Sequence, residues 1–172
     1  MALGDITVFR QASSGGGSGS RTMNTQASAG VISAGEPIYL VAGASAVLPN
    51  QSTNLVTVAS PYVSYGVTGT GILGVAETTA TNTASVAGTV EYIPAHPDTV
   101  FIINANTSLS VSTQAKYDAL VGHRVLMDLT SGVYTLLTSD SALNGFVIQP
   151  LNIFKYPNKI AFTIRDAASA ID

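Results

Sequence analysis

Thr99-Val100-Phe101-Ile102-Ile103 is a continuous run of apolar and β-branched residues in the second half of the chain. Such a run is typical of a strand buried on both faces, because neither face carries the polar residues that a solvent-exposed face would show. Residues 99–103 are therefore the predicted centre of the hydrophobic core.

Other short β-rich runs lie on both sides of this stretch, separated by Gly, Pro and Asn residues. This succession is typical of a sandwich or barrel rather than an alternating α/β fold. The predicted strands are residues 37–42, 55–59, 71–76, 86–93, 99–105, 124–129, 133–138, 146–149 and 160–165. The fold class that we predict is mainly β, with one compact β-sandwich or β-barrel-like domain. The small, polar stretches 44–54 and 78–85 are predicted loops.

Residues 112–122 break the β pattern. They open with residues suited to an N-cap, carry Tyr117, Leu120 and Val121 at the i, i+3 and i+4 spacing of a helix, and close on Gly122. Glycine suits the C′ position because it adopts the left-handed conformation without strain. We predict one short helix at about 112–121 with one buried face.

The next two runs, 124–129 and 133–138, are predicted to form a β-hairpin. They are joined by Thr130-Ser131-Gly132, in which the glycine suits the left-handed position of a three-residue hairpin loop.

The first thirty residues differ in composition from the rest of the chain. A strand-like run at 5–10 precedes a Gly/Ser run at 13–20, which cannot bury enough apolar area to offset the entropy of ordering it. The alternating Ile6, Val8 and Phe9 could add a strand to the edge of another sheet. We therefore predict a flexible, extended N-terminal arm with a Gly/Ser linker over 1–30 and a single β-rich domain over 31–172. This organisation favours a binding protein over an enzyme.

The composition of the chain disfavours several classes of function. The chain has 172 residues, seven Lys and Arg against ten Asp and Glu, a formal net charge of −3 and no cysteine. So few basic groups disfavour nucleic-acid binding, and the absence of cysteine excludes disulfides and thiolate metal sites.

Charged residues make up 10% of the chain, against about 25% in an average domain. A neutral surface suits extensive contact with other subunits, because hydroxyl groups are easier to desolvate than charges. We expect no membrane segment and, from residues 1–5, no secretion signal.

Two motifs that could indicate catalysis are weak. Residues 69–74 match G-x-G-x-x-G, but the β-branched stretch that follows would make a poor helix, and a dinucleotide site needs a helix there. The two histidines, His96 and His123, have no second histidine or carboxylate at metal-ligand spacing. We predict a non-enzymatic protein with no catalytic residue, metal, cofactor or small-molecule substrate.

Two short stretches of the sequence resemble a known family. Gly35-Glu36-Pro37-Ile38-Tyr39-Leu40 follows the Gly/Ser-rich arm, and Gly71-Ile72-Leu73-Gly74-Val75-Ala76 runs into a Thr-rich stretch at 77–83. These phrases resemble the head decoration (cement) proteins of tailed bacteriophages, which often carry "AGEPV-L" and a "GI-AVA" strand before a Ser/Thr loop. Residues 114–129 are also similar to virion structural proteins.

The resemblance implies a location and a partner. It implies a β-rich domain on the outer surface of the expanded capsid, commonly a trimer, whose arm pairs with the major capsid protein. In this chain the capsid-binding arm would comprise Ile6, Val8 and Phe9 as the buried set and Arg10 as a polar anchor. We therefore expect a virion protein that stabilises the assembled capsid as a homo-oligomer, with the trimer as the form that the family suggests.

Three alternatives stay open from the sequence. A head fibre or tail component that binds host glycans would need exposed aromatic pockets, for which Tyr62, Tyr65 and Tyr92 are the candidates. A polysaccharide hydrolase would need two carboxylates facing one groove. The third alternative is a bacterial adhesive domain.

Overall fold

The computed structural model describes residues 6–10, 19–24, 31–40, 56–58, 72–81, 88–105, 112–130, 133–137 and 145–164. These residues form thirteen strands and one helix. In chain order they are β1 (Thr7–Arg10), β2 (Arg21–Asn24), β3 (Val31–Ile32), β4 (Pro37–Leu40), β5 (Val56–Val58), β6 (Ile72–Ala76), β7 (Ala80–Thr81), β8 (Thr89–Pro94), β9 (Val100–Asn104), α1 (Gln114–Asp118), β10 (Arg124–Thr130), β11 (Val133–Leu137), β12 (Phe146–Gln149) and β13 (Lys159–Ile164).

The strands form two large sheets and one small one. The six-stranded sheet has the order β1-β9-β13-β12-β10-β11, the five-stranded sheet has the order β2-β8-β6-β4-β5, and β3 pairs with β7. Every described pairing is antiparallel. The predicted mainly β fold with one short helix is confirmed.

One hydrophobic core contains side chains from both large sheets. Ile72, Val75 and Ile93 enter it from the five-stranded sheet and meet a larger group from the six-stranded sheet. Four consecutive residues of β9, from Val100 to Ile103, are buried, which confirms the prediction for this stretch. The ring of Phe101 stacks on Phe162 of β13 with centroids 5.8 Å apart.

The helix is shorter than predicted but buries the predicted face. Thr113 is its N-cap, whose hydroxyl accepts a hydrogen bond from the Lys116 N–H, and Tyr117 is fully buried. After Asp118 the chain continues in turns to Gly122, whose φ of 86° lies in the left-handed region that glycine favours. Leu120 and Val121 pack against the core from these turns.

The hairpin also forms, with a tighter connection than expected. Pairing between β10 and β11 continues to Thr130 and Val133. Only two residues connect them, so the expected three-residue loop is wrong.

The placement of β1 differs from the expectation of a separate arm. Thr7, Val8 and Arg10 pair with β9 of the same chain, and Ile6 is 2% exposed within the core. The Ile6 N–H also donates a hydrogen bond to the Gly35 carbonyl at 3.1 Å. The alternating apolar pattern thus pairs with β9 in the chain's own six-stranded sheet.

The stretch of sequence around Gly35 has a structural role. Residues 33–36 form a turn, with a hydrogen bond from Glu36 N–H to the Ser33 carbonyl, and Gly35 has a φ of 84°. Its N–H donates to the Ala76 carbonyl at 2.8 Å, while its own carbonyl accepts from Ile6. This turn therefore connects β1 to the end of β6, and a side chain at Gly35 would strain it.

Candidate docking surface

The segment between β12 and β13, residues 150–158, is held in place by side chains that bond to its backbone. Gln114 of α1 donates from Nε2 to the Leu151 carbonyl at 2.9 Å and accepts at Oε1 from the Ile153 N–H at 3.1 Å. Both backbone groups are thereby satisfied by one amide. The helix fixes the first half of this segment.

Asn152 fixes the second half. Its Oδ1 accepts hydrogen bonds from the N–H groups of Phe154 and Lys155, at 3.0 and 3.2 Å. The Tyr156 N–H donates to the Asn152 carbonyl at 3.0 Å. This is a turn built around an asparagine side chain, which has a strong local preference for such geometry. Because Leu151 and Ile153 are buried below it, the segment is a well-supported loop.

This supported loop exposes an aromatic ring. Phe154 is 80% exposed, and Phe9 of β1 is 39% exposed; they are the exposed large apolar side chains among the described residues. Both line one open depression of about 520 Å³, together with Tyr156 and the buried Leu151. We call this depression the aromatic groove. Its further lining residues are Gln114, Asp118, Pro150, Asn152 and Lys155.

Phe9 reaches the groove because β1 is irregular. The register between β1 and β9 shifts between Val8 and Arg10, so Phe9 lies at a bulge. A bulge redirects the side chains around it. The Phe9 ring meets Tyr156 edge to face, with centroids 5.2 Å apart and an interplanar angle of 89°. The arm strand and the loop thus build the groove jointly.

The charges of the groove are balanced. Lys155 Nζ lies 5.4 Å from the centroid of the Tyr156 ring, a cation–π contact. Asp118 accepts a hydrogen bond from Gln114 Nε2 at 2.7 Å. With one ammonium and one carboxylate beside three aromatic rings, the groove favours a largely apolar ligand over a strongly charged one.

The four predicted arm residues lie in different environments. Ile6 is in the core, Val8 is half-buried against it, and Phe9 lines the groove. The backbone of Arg10 ends β1, and its side chain lies outside the described residues. Capsid binding by these residues stays a prediction; of the three side chains that are described, that of Phe9 is the exposed one. Phe154 was not among the predicted site residues: Asn152 and Pro157 indicate a turn, but neither shows that the ring between them points outward.

The residues considered for other functions have structural roles where they are described. Gly74 lies inside β6, and the described residues after it, 77–81, contain no helix, whereas a dinucleotide site needs a helix there; residues 69–71 lie outside the described residues. His96 occupies a turn in which its Nδ1 accepts from the Asp98 N–H at 3.3 Å. Tyr92 is buried, and Tyr62 and Tyr65 lie outside the described residues.

Within the described part of the chain, no group of three or more His, Cys, Asp or Glu side chains could hold a metal ion. Its helix is also too short to cross a membrane. Comparison of the chain with protein-family models, with curated proteins and with solved structures finds no match.

Proposed function

We propose that this protein is a structural virion protein that binds the outside of the assembled capsid of a tailed bacteriophage and stabilises it. Its partner is the major capsid protein, and the aromatic groove is its contact surface. The observation that carries this proposal is Phe154, which is 80% exposed on a loop fixed by Gln114 and Asn152.

A fixed, exposed aromatic ring is suited to binding. Ordering a loop and a side chain on association costs free energy, and a loop that is already held by hydrogen bonds avoids most of that cost. Aromatic side chains that enter a partner's pocket are common hot spots of protein interfaces. Phe154 touches solvent over most of its surface in the isolated chain, so its burial against a partner is a net gain.

The mode of contact differs from the strand addition that we expected from the sequence. β1 has only four residues, pairs with β9 of its own chain and contains a bulge at Phe9. Bulges and short edge strands disfavour pairing with a further strand. The proposed contact therefore uses the rings of Phe9, Phe154 and Tyr156 rather than the β1 backbone.

The choice of a capsid as partner is supported by the sequence. The phrases at 35–40 and 71–76 resemble head decoration proteins, and the low charge content suits a surface that touches many subunits. A protein that binds only the assembled shell stabilises it by mass action. Each site contributes about 2.7 kcal/mol when the free protein is a hundredfold above its Kd.

Co-sedimentation with undecorated, expanded phage capsids tests this function. We expect saturable binding by the wild-type chain and at least about a thirtyfold weaker Kd for Phe154→Ser, equivalent to about 2 kcal/mol. Lys116→Ser, on the exposed side of α1, is the control and should bind normally. Because the contact is largely apolar, 1 M NaCl should leave binding nearly unchanged. Absence of wild-type binding contradicts the proposal.

The aromatic groove also favours a second candidate function. Rings flanked by Asp118 and Lys155 offer stacking surfaces and hydrogen-bonding groups to a sugar. In this case the protein would be a head fibre or tail component that binds host glycans. Binding to a glycan array that is lost in Phe154→Ser, with no binding to capsids, would favour this candidate.

A further inference from the structure

We propose that β1 is exchanged between copies of this chain, so that Ile6 of one copy completes the core of another and Phe9 completes its aromatic groove. The partner is thus a second copy of the same chain. The exchange does not depend on capsid binding; only its consequence for the groove rests on the proposed function.

The contacts of β1 would allow this strand to separate from the sheet of its own chain. It is an end strand of the six-stranded sheet, and its described pairing is with β9. Its anchors are the buried Ile6 side chain and the hydrogen bond from the Ile6 N–H to the Gly35 carbonyl. All of these contacts form equally well with a strand from a second copy. Exchange of such an end strand therefore creates an oligomer without requiring a new interface.

β1 has fewer pairing partners than an interior strand. Among the described residues it pairs with β9, whereas β13 pairs with both β9 and β12. An open depression of about 380 Å³ lies beside β1, lined by Ile6, Val8, Val75 and Ile93, with the exposed Glu77 among the other lining residues. Detaching β1 consequently breaks one strand pairing, where detaching β13 would break two.

The connection after β1 has no apolar anchor. β1 belongs to one large sheet and β2 to the other, and residues 11–20 join them. This stretch reads Gln-Ala-Ser-Ser-Gly-Gly-Gly-Ser-Gly-Ser, so it offers no large apolar side chain that would favour pairing within one chain. Ten residues span at most about 35 Å, and a Gly-rich chain of this length has a typical end-to-end distance of about 17 Å. Such a connection allows β1 to reach a neighbouring copy.

Exchange would couple assembly to the docking surface. The groove needs Phe9 from β1 and Phe154 from the loop, and the two rings belong to different copies in the exchanged form. A detached β1 would leave the groove without the ring that meets Tyr156 edge to face.

Engineered disulfides test the exchange, since the chain has no native cysteine. Thr7 and Ile102 are paired across β1 and β9, so we would introduce Thr7→Cys with Ile102→Cys. The control pair is Val147→Cys with Thr163→Cys, which are opposite each other on the interior strands β12 and β13. After oxidation and non-reducing electrophoresis, the 7/102 pair should give covalent oligomers and the control pair only monomers.

Mixing two single-cysteine variants gives an independent readout. Thr7→Cys in one chain and Ile102→Cys in another can form a 7/102 disulfide only when β1 of one copy lies on β9 of the other. We expect a covalent product of the two chains after the mixture is incubated and oxidised. Links within single chains alone, or no link, in the double 7/102 variant would overturn the proposal. A mixture of the two single variants that gives no 7/102 link would overturn it as well.

Discussion

The hydroxyl of Tyr117 links the helix to two strands. It donates to the Gln149 carbonyl at 2.8 Å and accepts from the Ala161 N–H at 3.0 Å. Tyr134 is also buried, but its hydroxyl has no hydrogen-bond partner among the described residues. The two buried tyrosines, one hydrogen-bonded and one not, are therefore a matched pair for testing how much a buried hydroxyl contributes to the free energy of unfolding.

We predict that Tyr117→Phe lowers the free energy of unfolding by about 1–3 kcal/mol, because it leaves the buried Ala161 N–H without its partner. Tyr134→Phe should change it by less than about 0.5 kcal/mol, or raise it, because no partner is lost. Urea denaturation monitored by circular dichroism measures both. Equal losses for the two variants would contradict the assignment of these hydrogen bonds.

The raised pKa values of the same two tyrosines predict that the stability of the fold depends on pH in the alkaline range. Burial raises the pKa of Tyr117 from 10.0 to about 12, and burial together with the nearby Glu36 raises the pKa of Tyr134. Above pH 10 the unfolded chain releases protons that the folded chain retains, so the folded state loses stability as pH rises from about 10 to 12. Below pH 10 this contribution is fully present.

We expect the urea midpoint of the wild type to fall between pH 10 and 12 and to fall less steeply in Tyr117→Phe/Tyr134→Phe. Denaturation curves at intervals from pH 8 to 12 measure the slope. The same slope in both proteins would show that these two tyrosines do not carry the effect.

Glycine is required at position 74 because there is no room for a side chain, and not because of its backbone conformation. A Cβ atom there would overlap the Ile93 carbonyl oxygen and lie 2.9 Å from Cδ2 of Tyr92. We predict that Gly74→Ala costs about 3 kcal/mol of unfolding free energy, because the obstacle is backbone that cannot move aside cheaply. Gly19→Ala is the control, since nothing lies within 4 Å of its Cβ position. Thermal denaturation should separate the two clearly, and similar melting temperatures would refute this account of Gly74.

At the scale of elements, β1 is part of the folded domain. The side chain of Ile6 is 2% exposed among core residues of both sheets. We predict that Ile6→Ala lowers the free energy of unfolding by about 2–4 kcal/mol. Thr7→Ala, at an exposed position of the same strand, should change it by less than about 0.5 kcal/mol. Equal and small effects in urea denaturation would mean that β1 lies apart from the domain.

Most elements could be predicted from the sequence because their signals are local. The apolar run 99–103 and the helical spacing of Tyr117, Leu120 and Val121 depend on neighbouring residues alone. The short strands β3 and β7 carry too few residues for a periodic signal, and β7 lies in a stretch that we expected to be a loop. The pairing of β1 with β9 joins residues far apart in the chain, which no local pattern encodes.

The groove was harder to predict than the fold. Phe9 and Phe154 are separated by most of the chain, and the bulge that directs Phe9 toward Tyr156 arises from the pairing with β9. An aromatic residue in a sequence is by default a core residue. Phe101, Phe146 and Phe162 follow this default, whereas Phe154 departs from it because Asn152 and Gln114 hold its loop outward.

At the scale of the whole molecule, the two large sheets share one hydrophobic core, and the aromatic groove lies beside the six-stranded sheet, which contains β1. The five-stranded sheet contributes to the core but not to the groove, whose lining comes from β1, α1 and residues 150–156. Among the described residues, the exposed large apolar side chains, Phe9 and Phe154, both lie in this groove, and an exposed apolar patch marks an interaction site. Our central claim is that this surface meets the major capsid protein.

The most direct test is site-specific photo-cross-linking from the groove. Benzoylphenylalanine would replace Phe154, and in a control protein it would replace Lys116 on the exposed side of α1. After irradiation with expanded capsids, we predict a covalent product between the position-154 protein and the major capsid protein, and none from position 116. Capsid binding without a cross-link from position 154, or equal cross-linking from both positions, would contradict the claim that the aromatic groove is the docking surface.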